Sequence, residues 1–314
     1  MIQVQNLTKR YGPTIAVKDL SFTVATGEIL GFLGPNGAGK TTTMKILTCY
    51  MSPTEGQVSL EGLDVIEHSL EVRRRIGYLP ETAPLYHDMN VLEYLSFVAG
   101  IRGIPRREFG SRIDRMASVC GLGSVMRKDI GELSKGFKQR VGIAQAMIHD
   151  PDVLILDEPT SGLDPNQIVD IRNLIKDLGD EKTVILSTHI LSEVQATCDR
   201  VLIINNGSLV ADGTPAELTA KFAGDDQMRL VVSGSSPEPL KSALMAVSGV
   251  ISLELTDGSE IRVNITVESG QDVRAPLFRA IADAGWTLLE MHRESTSLES
   301  VFRQLTKDTG DAGA

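Results

Sequence analysis

Leu30-Gly31-Phe32-Leu33-Gly34-Pro35-Asn36-Gly37-Ala38-Gly39-Lys40-Thr41-Thr42 is the stretch that decides the fold. Apolar residues run straight into a glycine-rich loop, the loop ends in Lys-Thr-Thr, and a helix-period pattern follows. Strand, loop, lysine, hydroxyl and helix in that order make the phosphate-binding loop G-x-x-x-x-G-K-S/T. A chance glycine turn does not supply all of them in sequence. In the loop Gly34, Pro35, Asn36, Gly37, Ala38 and Gly39 the glycines let the backbone wrap a phosphate chain with its N–H groups inward. The helix that starts near Gly39 offers unpaired N–H groups and its positive dipole end to the same anion. Lys40 reaches the β- and γ-phosphates as a point charge. The Thr41 hydroxyl is an expected Mg²⁺ ligand, and Thr42 stands ready for further phosphate contacts.

Working outward, the chain of 314 residues has room for one large domain and a small one. Its apolar fraction of 42% is that of a globular protein with a real core. A net charge of −10 argues against neutralising nucleic-acid phosphates, so no nucleic-acid partner is expected. The cysteines, Cys49, Cys120 and Cys198, are far apart and in no metal-ligand spacing. That fits a reducing compartment better than a disulfide framework. The opening Met-Ile-Gln-Val alternates like a strand and lacks signal-peptide regions. No apolar run nears the roughly 18 residues of a spanning helix, so contact with a membrane is expected through a partner.

Strands are expected over residues 2–11 and 16–24, the second with Leu20, Phe22 and Val24 on one face. Residues 29–33 form a continuous apolar run, as in a strand buried on both faces. A helix over 40–50, strands over 57–60 and 76–79, and a helical insertion over about 84–150 follow. Further core strands fall at 153–156 and 183–187, with helices at 168–178 and 191–196. A hairpin crosses Asn206-Gly207, and a helix over 215–222 closes this part. Strands alternating with helices make a mostly parallel sheet. After a hinge at 223–226, residues 227–306 run strand, helix, strand, strand, helix, strand, helix, which suggests a split β-α-β sandwich. A flexible tail is expected over 307–314.

Val153-Leu154-Ile155-Leu156 ends in two carboxylates, Asp157 and Glu158. Beside a phosphate loop, Asp157 is placed to hold Mg²⁺ and Glu158 to act as general base toward an attacking water. His189, in Ser187-Thr188-His189, follows a buried strand at the sheet's active edge. Leu133-Ser134-Lys135-Gly136 opens a helix, whose start with a serine hydroxyl is an anion site.

With these motifs in place, residues 1–222 resemble the ATP-binding-cassette (ABC) ATPase family. The resemblance rests on Tyr11, the phosphate loop, Tyr78-Leu79-Pro80-Glu81, Leu133-Ser134-Lys135-Gly136, Asp157-Glu158, Ser161-Gly162-Leu163-Asp164 and His189, in that order. It implies an α/β P-loop cassette: a mixed, mostly parallel sheet with an antiparallel β-subdomain and a helical subdomain, followed here by a small α+β ferredoxin-like domain. It implies ATP and Mg²⁺, and a head-to-tail pair of subunits around two ATP molecules. In that pair Ser134, Lys135 and Gly136 of one subunit face the phosphate loop of the other, and Asp164 joins the two. Tyr11 would stack on adenine, His189 would contact the γ-phosphate, and Thr41, Glu81 and Asp157 would serve the metal. Two positions depart from the family pattern: Glu81 stands where glutamine is usual, and Lys135-Gly136-Phe137 where Gly-Gly-Gln is usual. The first adds negative charge near the triphosphate and the second adds a cation.

The expected function is the ATP-hydrolysing subunit of a transporter, an exporter by resemblance to gliding-motility-type subunits. It would work with a separate membrane-spanning permease on the cytoplasmic face of the inner membrane. The alternative is a soluble ATPase of the same family acting on ribosomes or DNA. One cassette, no heptad run and the acidic balance favour transport over it. A non-hydrolysing scaffold is disfavoured because Lys40, Asp157, Glu158 and His189 are all present.

Overall fold

Parallel strands buried on both faces organise the first part of the chain. The computed structural model describes residues 1–222, 226–234, 236–256, 258, 260–268, 271–294 and 298–307. It divides into two units, one of Met1–Pro215 joined by the chain from Leu305, and one of Ala216–Gln304.

In the first unit, β1 (Ile2–Tyr11) and β2 (Thr14–Val24) pair antiparallel. Then come β3 (Ile29–Leu33), buried along its whole length, and α1 (Lys40–Leu47). β4 (Glu55–Leu60) and β5 (Leu63–Asp64) extend the first pair into an antiparallel sheet of order β2-β1-β4-β5. α2 (Ser69–Arg75) leads into β6 (Ile76–Leu79). The helical insertion holds α3 (Val91–Ile101), α4 (Phe109–Val119) and α5 (Lys135–Met147). β7 (Val153–Asp157), α6 (Pro165–Gly179), β8 (Thr183–Thr188) and α7 (Leu191–Thr197) follow. β9 (Arg200–Asn205) and β10 (Ser208–Gly213) form the hairpin across Asn206-Gly207, both residues at positive φ.

The main sheet runs β10-β9-β3-β8-β7-β6, parallel except for β10. Its strands lack hydrophobic alternation because helices and the second sheet cover both faces. One apolar core joins the two sheets around α1, with Phe22 and Phe32 ring centroids 5.3 Å apart. The register sets Leu33 beside Thr188 and Asp157 beside Ser187, so the carboxyl ends of β3, β7 and β8 share one edge.

Some boundaries differ from those read in the sequence. α1 stops at Leu47 because Cys49 turns left-handed at φ 57 and Tyr50 N–H bonds back to Lys45 O. α2 was not read from the sequence at all: its charged run buries only Val72, which leaves no apolar period to see. α3 carries a reciprocal cap, Glu93 N–H to Asn90 Oδ1 and Asn90 N–H to Glu93 Oε2, that fixes the entry to the insertion.

The second unit begins with α8 (Pro215–Lys221), a few residues earlier than the boundary read at 222. Of the expected hinge, residues 223–225 lie outside the described residues, and Asp226 is already the first residue of β11 (Asp226–Ser233). α9 (Pro237–Met245), β12 (Val250–Thr256), β13 (Ile261–Val267), α10 (Arg274–Asp283), β14 (Thr287–Glu294) and the part of α11 (Leu298–Lys307) up to Gln304 complete it. The sheet is antiparallel with order β12-β13-β11-β14. Met228, Leu230 and Val232 face Leu240, Leu244, Leu277 and Ile281, so alternate strand residues build its core. Of the expected tail, Lys307 closes α11 and residues 308–314 lie outside the described residues.

Behind β6, His149 follows α5 with Nε2 3.1 Å from Ile76 O and with Nδ1 buried without a partner. Burial, reinforced by the Arg102 charge, pushes its pKa from 6.5 down to about 4. Between those values the unfolded chain binds a proton that the folded chain refuses, so stability falls as pH drops from 6.5 toward 4. His149→Gln, which keeps a donor for Ile76 O, should flatten that part of the pH dependence of the urea midpoint. An unchanged difference between pH 6.5 and 4 would show that His149 is not its source.

Candidate functional site

The turn from β3 into α1 is held by close backbone approaches. Gly39 lies at φ 105, and a Cβ there would fall 2.6 Å from Ala16 O. At Gly34 a Cβ would fall 2.5 Å from Ile204 O, so no larger residue fits without moving β9. Gly207 N–H donates to Ala38 O at 3.0 Å and ties the loop to the β9–β10 turn. Lys40 is buried. Its Nζ donates to Gly34 O at 2.8 Å and Pro35 O at 3.3 Å and lies 3.4 Å from Glu158 Oε1.

Glu158 sits just past β7 in the left-handed region, at φ 49. That conformation is costly for a residue that carries a Cβ, and here it accompanies a carboxylate placed 3.4 Å from Lys40 of the phosphate loop. Two bonds hold it: Glu158 N–H donates to Ser187 O at 3.1 Å and to Ser187 Oγ at 3.1 Å. Its Oε2 lies 2.8 Å from His189 Nδ1. Glu158 is buried, while the His189 side chain is 48% exposed, so the histidine stands at the mouth. Thr188 Oγ1 donates to the buried Glu193 and accepts from Ile190 N–H, which sets the backbone that carries His189.

Asp157 is fully buried. Its Oδ1 accepts from Ser187 Oγ, and its Oδ2 has no partner. An acceptor left unpaired in the interior is expensive, and a bound cation is the ordinary remedy. The residues present therefore fit Mg²⁺: a carboxylate oxygen with capacity to spare, the Thr41 hydroxyl and the Glu81 carboxylate.

A cavity of about 600 Å³ is lined by residues 36–42 of the loop and α1 start, with Ala16, Glu81, Glu158, Ser161 and His189. The structure thus brings together the phosphate loop, Lys40, Thr41, Thr42, Glu81, Glu158 and His189. Neither Ala16 nor Ser161 is among the site residues expected from the sequence. Ser161 was legible as part of Ser161-Gly162-Leu163-Asp164, while Ala16 carries no sequence signal. Ser187, the hydroxyl that braces both carboxylates, was read only as a neighbour of His189.

Other expected site residues stand outside the cavity lining. Ser134 is exposed and caps α5, accepting from Phe137 N–H at 3.4 Å. Lys135 is exposed against Gly162, whose added Cβ would lie 2.1 Å from Lys135 Nζ. Gly136 packs on the Gln167 side chain. Asp164 is exposed and caps α6, accepting from Gln167 N–H at 2.9 Å. Tyr11 is 46% exposed at the end of β1, its hydroxyl 3.1 Å from Met51 Sδ and Lys9 Nζ 5.5 Å from its ring centroid.

Comparison with known proteins gives consistent relatives. The family described as "ABC transporter" matches residues 17–161, and one described as "AAA domain, putative AbiEii toxin, Type IV TA system" matches 129–194. The chain is 37% identical over 282 residues to the bacitracin transport ATP-binding protein BcrA of Bacillus licheniformis, covering 87% of this chain and 91% of that one. It is 39% identical over 228 residues to the probable multidrug ABC transporter ATP-binding protein YbhF of Escherichia coli (strain K12). That match covers 72% of this chain and 39% of YbhF, so the chain spans about two fifths of that relative's length. Among solved structures, the dimeric bacterial ABC transporter cassette MJ0796 superposes with a TM-score of 0.63 at 26% identity, over 68% of this chain and 98% of that one.

Glu81 offers a test of the metal assignment. Glu81→Gln removes one negative charge from the cavity, so the Mg²⁺ concentration needed for half-maximal nucleotide turnover should shift. A superimposable Mg²⁺ titration would remove Glu81 from the metal site.

Proposed function

The chain belongs to the ATP-binding proteins of ABC transporters, and from that premise we propose that it is the ATP-hydrolysing subunit of an exporter whose membrane-spanning part is a separate chain. The observation that carries the reading is the cluster of buried Lys40 and Glu158 with His189 at its mouth, facing a cavity walled by the phosphate loop. Such a cluster supplies a phosphate clamp, a base and a γ-phosphate contact at one sheet edge.

ATP, the substrate, would lay its phosphates along the N–H groups of residues 36–41, with Lys40 drawn from Glu158 to the β- and γ-phosphates. His189 would follow toward the γ-phosphate, leaving Glu158 to take the proton of the attacking water. A positioned base of this kind contributes roughly 10²–10⁴ in rate. Thr41, Asp157 and Glu81 would hold Mg²⁺, which when bound would supply positive charge against the triphosphate. Ser134, Lys135 and Asp164 have exposed positions outside the cavity, which suits them to complete the cavity of a second copy rather than their own.

Among the described residues, no helix is long and apolar enough to cross a membrane. The proposed location is the cytoplasmic face of the inner membrane, bound to the permease. The insertion presents exposed Tyr86 and Phe97 for such a partner: Tyr86 packs edge-on to Phe97 and to the buried Tyr94, with centroids 5.5 and 6.0 Å away. Closure of the ATP pair and its release after hydrolysis would drive the permease between two states.

Glu158→Gln should bind ATP, lose at least about 10² in turnover and accumulate a dimer with ATP on size exclusion. Normal turnover in that variant would end the general-base assignment. For the second unit we propose pairing and regulation. A chain ending at residue 222 should hydrolyse ATP but form the ATP-bound dimer less readily. Unchanged dimer formation and transport by the shortened chain would contradict this.

A further inference from the structure

α7 starts without a side-chain cap of the usual kind. Ile190 holds its N-cap position, and an isoleucine side chain offers nothing to the free N–H groups of the first turn. Glu193 stands at the third helical position, from which a glutamate ordinarily reaches back to the N-cap N–H. Here it reaches one group further. Ile190 N–H donates to Thr188 Oγ1 at 3.0 Å, and Thr188 Oγ1 donates to Glu193 Oε2 at 2.8 Å. The threonine hydroxyl thus relays between the N-cap and the carboxyl. Glu193 N–H closes the turn on Ile190 O at 3.2 Å. The relay spans a single residue, His189, and anchors the neighbour on each side of it.

A surface cap would need none of the burial found here. Thr188 is fully buried and Glu193 is 2% exposed. Among the described residues Glu193 forms no ion pair, and its Oε1 has no hydrogen-bond partner. A carboxyl buried on those terms is destabilising. α7 does not depend on it for anchorage, because Val194 is fully buried and packs at Gly31 of β3. What the carboxyl secures is the main chain that carries His189. The imidazole stands half exposed with Nδ1 2.8 Å from Glu158 Oε2, and where it can reach is set by where its Cα is held. We propose that Glu193 is a positioning residue for ATP hydrolysis. Through the Thr188 hydroxyl it fixes the turn under His189, so that the imidazole moves from Glu158 to the γ-phosphate while its backbone stays in place. This rests on the ATPase reading above and adds to it a residue outside the cavity lining. A misplacement of about 1 Å at such a contact costs on the order of 10²-fold in rate.

The test compares variants of the full chain by phosphate release. Glu193→Met fills a similar volume without a polar head, so its urea midpoint should equal or exceed that of the unaltered chain. Its kcat should fall about tenfold or more while KM for ATP stays within about twofold, because binding lies with the phosphate loop. Glu193→Gln, whose amide oxygen accepts from Thr188, should recover most of the turnover. Thr188→Val keeps the shape of threonine and drops the hydroxyl, and it should reproduce the loss from the other end of the relay, so the comparison does not depend on one variant folding. The deciding measurement is in a His189→Ala background. There Glu193→Met should change the residual turnover by less than about twofold, since its effect runs through the histidine. Unaltered kcat in Glu193→Met, a raised KM with kcat unchanged, no recovery in Glu193→Gln, or an undiminished further loss in the His189→Ala background would each overturn the proposal. No ATP turnover by the unaltered chain would instead overturn the ATPase reading, so the two failures are distinct.

Discussion

One buried contact organises the first unit: the Glu158 carboxylate between Lys40 and His189. Three consecutive neighbours in the main sheet, β3, β8 and β7, must end at the same edge for it to exist, because each supplies one of the three groups. A parallel sheet with whole-strand burial gives that alignment. Charges buried this deeply are tolerated only when paired and hydrogen-bonded, and here Ser187 braces both Asp157 and Glu158 from the next strand. The left-handed backbone at Glu158 is the local cost of aiming the carboxylate at the phosphate loop.

The same geometry supports the proposal that the site is a half. Lys40, Thr41, Glu81, Glu158 and His189 converge on one cavity, while the Ser134 helix start and Asp164 stand exposed outside it. Both Ser134 and Asp164 already cap helices of their own chain, so their placement is fixed before any partner arrives. Lys135 and Gly136 bind the starts of α5 and α6 into one body through Gly162 and Gln167. On the proposed pairing, this exposed helix start would meet its anion in another copy.

The core strands and the phosphate loop were legible because burial on both faces writes an uninterrupted apolar run, and because Gly, Lys and Thr at fixed spacing have few other uses. The hairpin at Asn206-Gly207 was legible for the same kind of reason. What sequence could not convey was contact between distant residues. Nothing in the order of residues says that Ser187 braces two carboxylates or that Ala16 walls the cavity. α2 was missed because its single buried residue leaves no period, and α1 was read too long because a left-handed cysteine is not a recognised stop. Asp226 was read into the hinge because its charge resembled the preceding residues, although pairing with Val267 places it in a strand.

The central claim, that two copies complete each other's ATP sites, is tested most directly by mixing two inactive chains. Lys40→Ala removes the phosphate clamp, and Ser134→Arg blocks the helix start that faces a second copy. A mixed pair contains one site with an intact phosphate loop from one chain and an intact Ser134 from the other. ATP hydrolysis should therefore appear on mixing, though neither variant hydrolyses ATP alone. A mixture that stays inactive while both variants remain folded and able to pair would contradict the account.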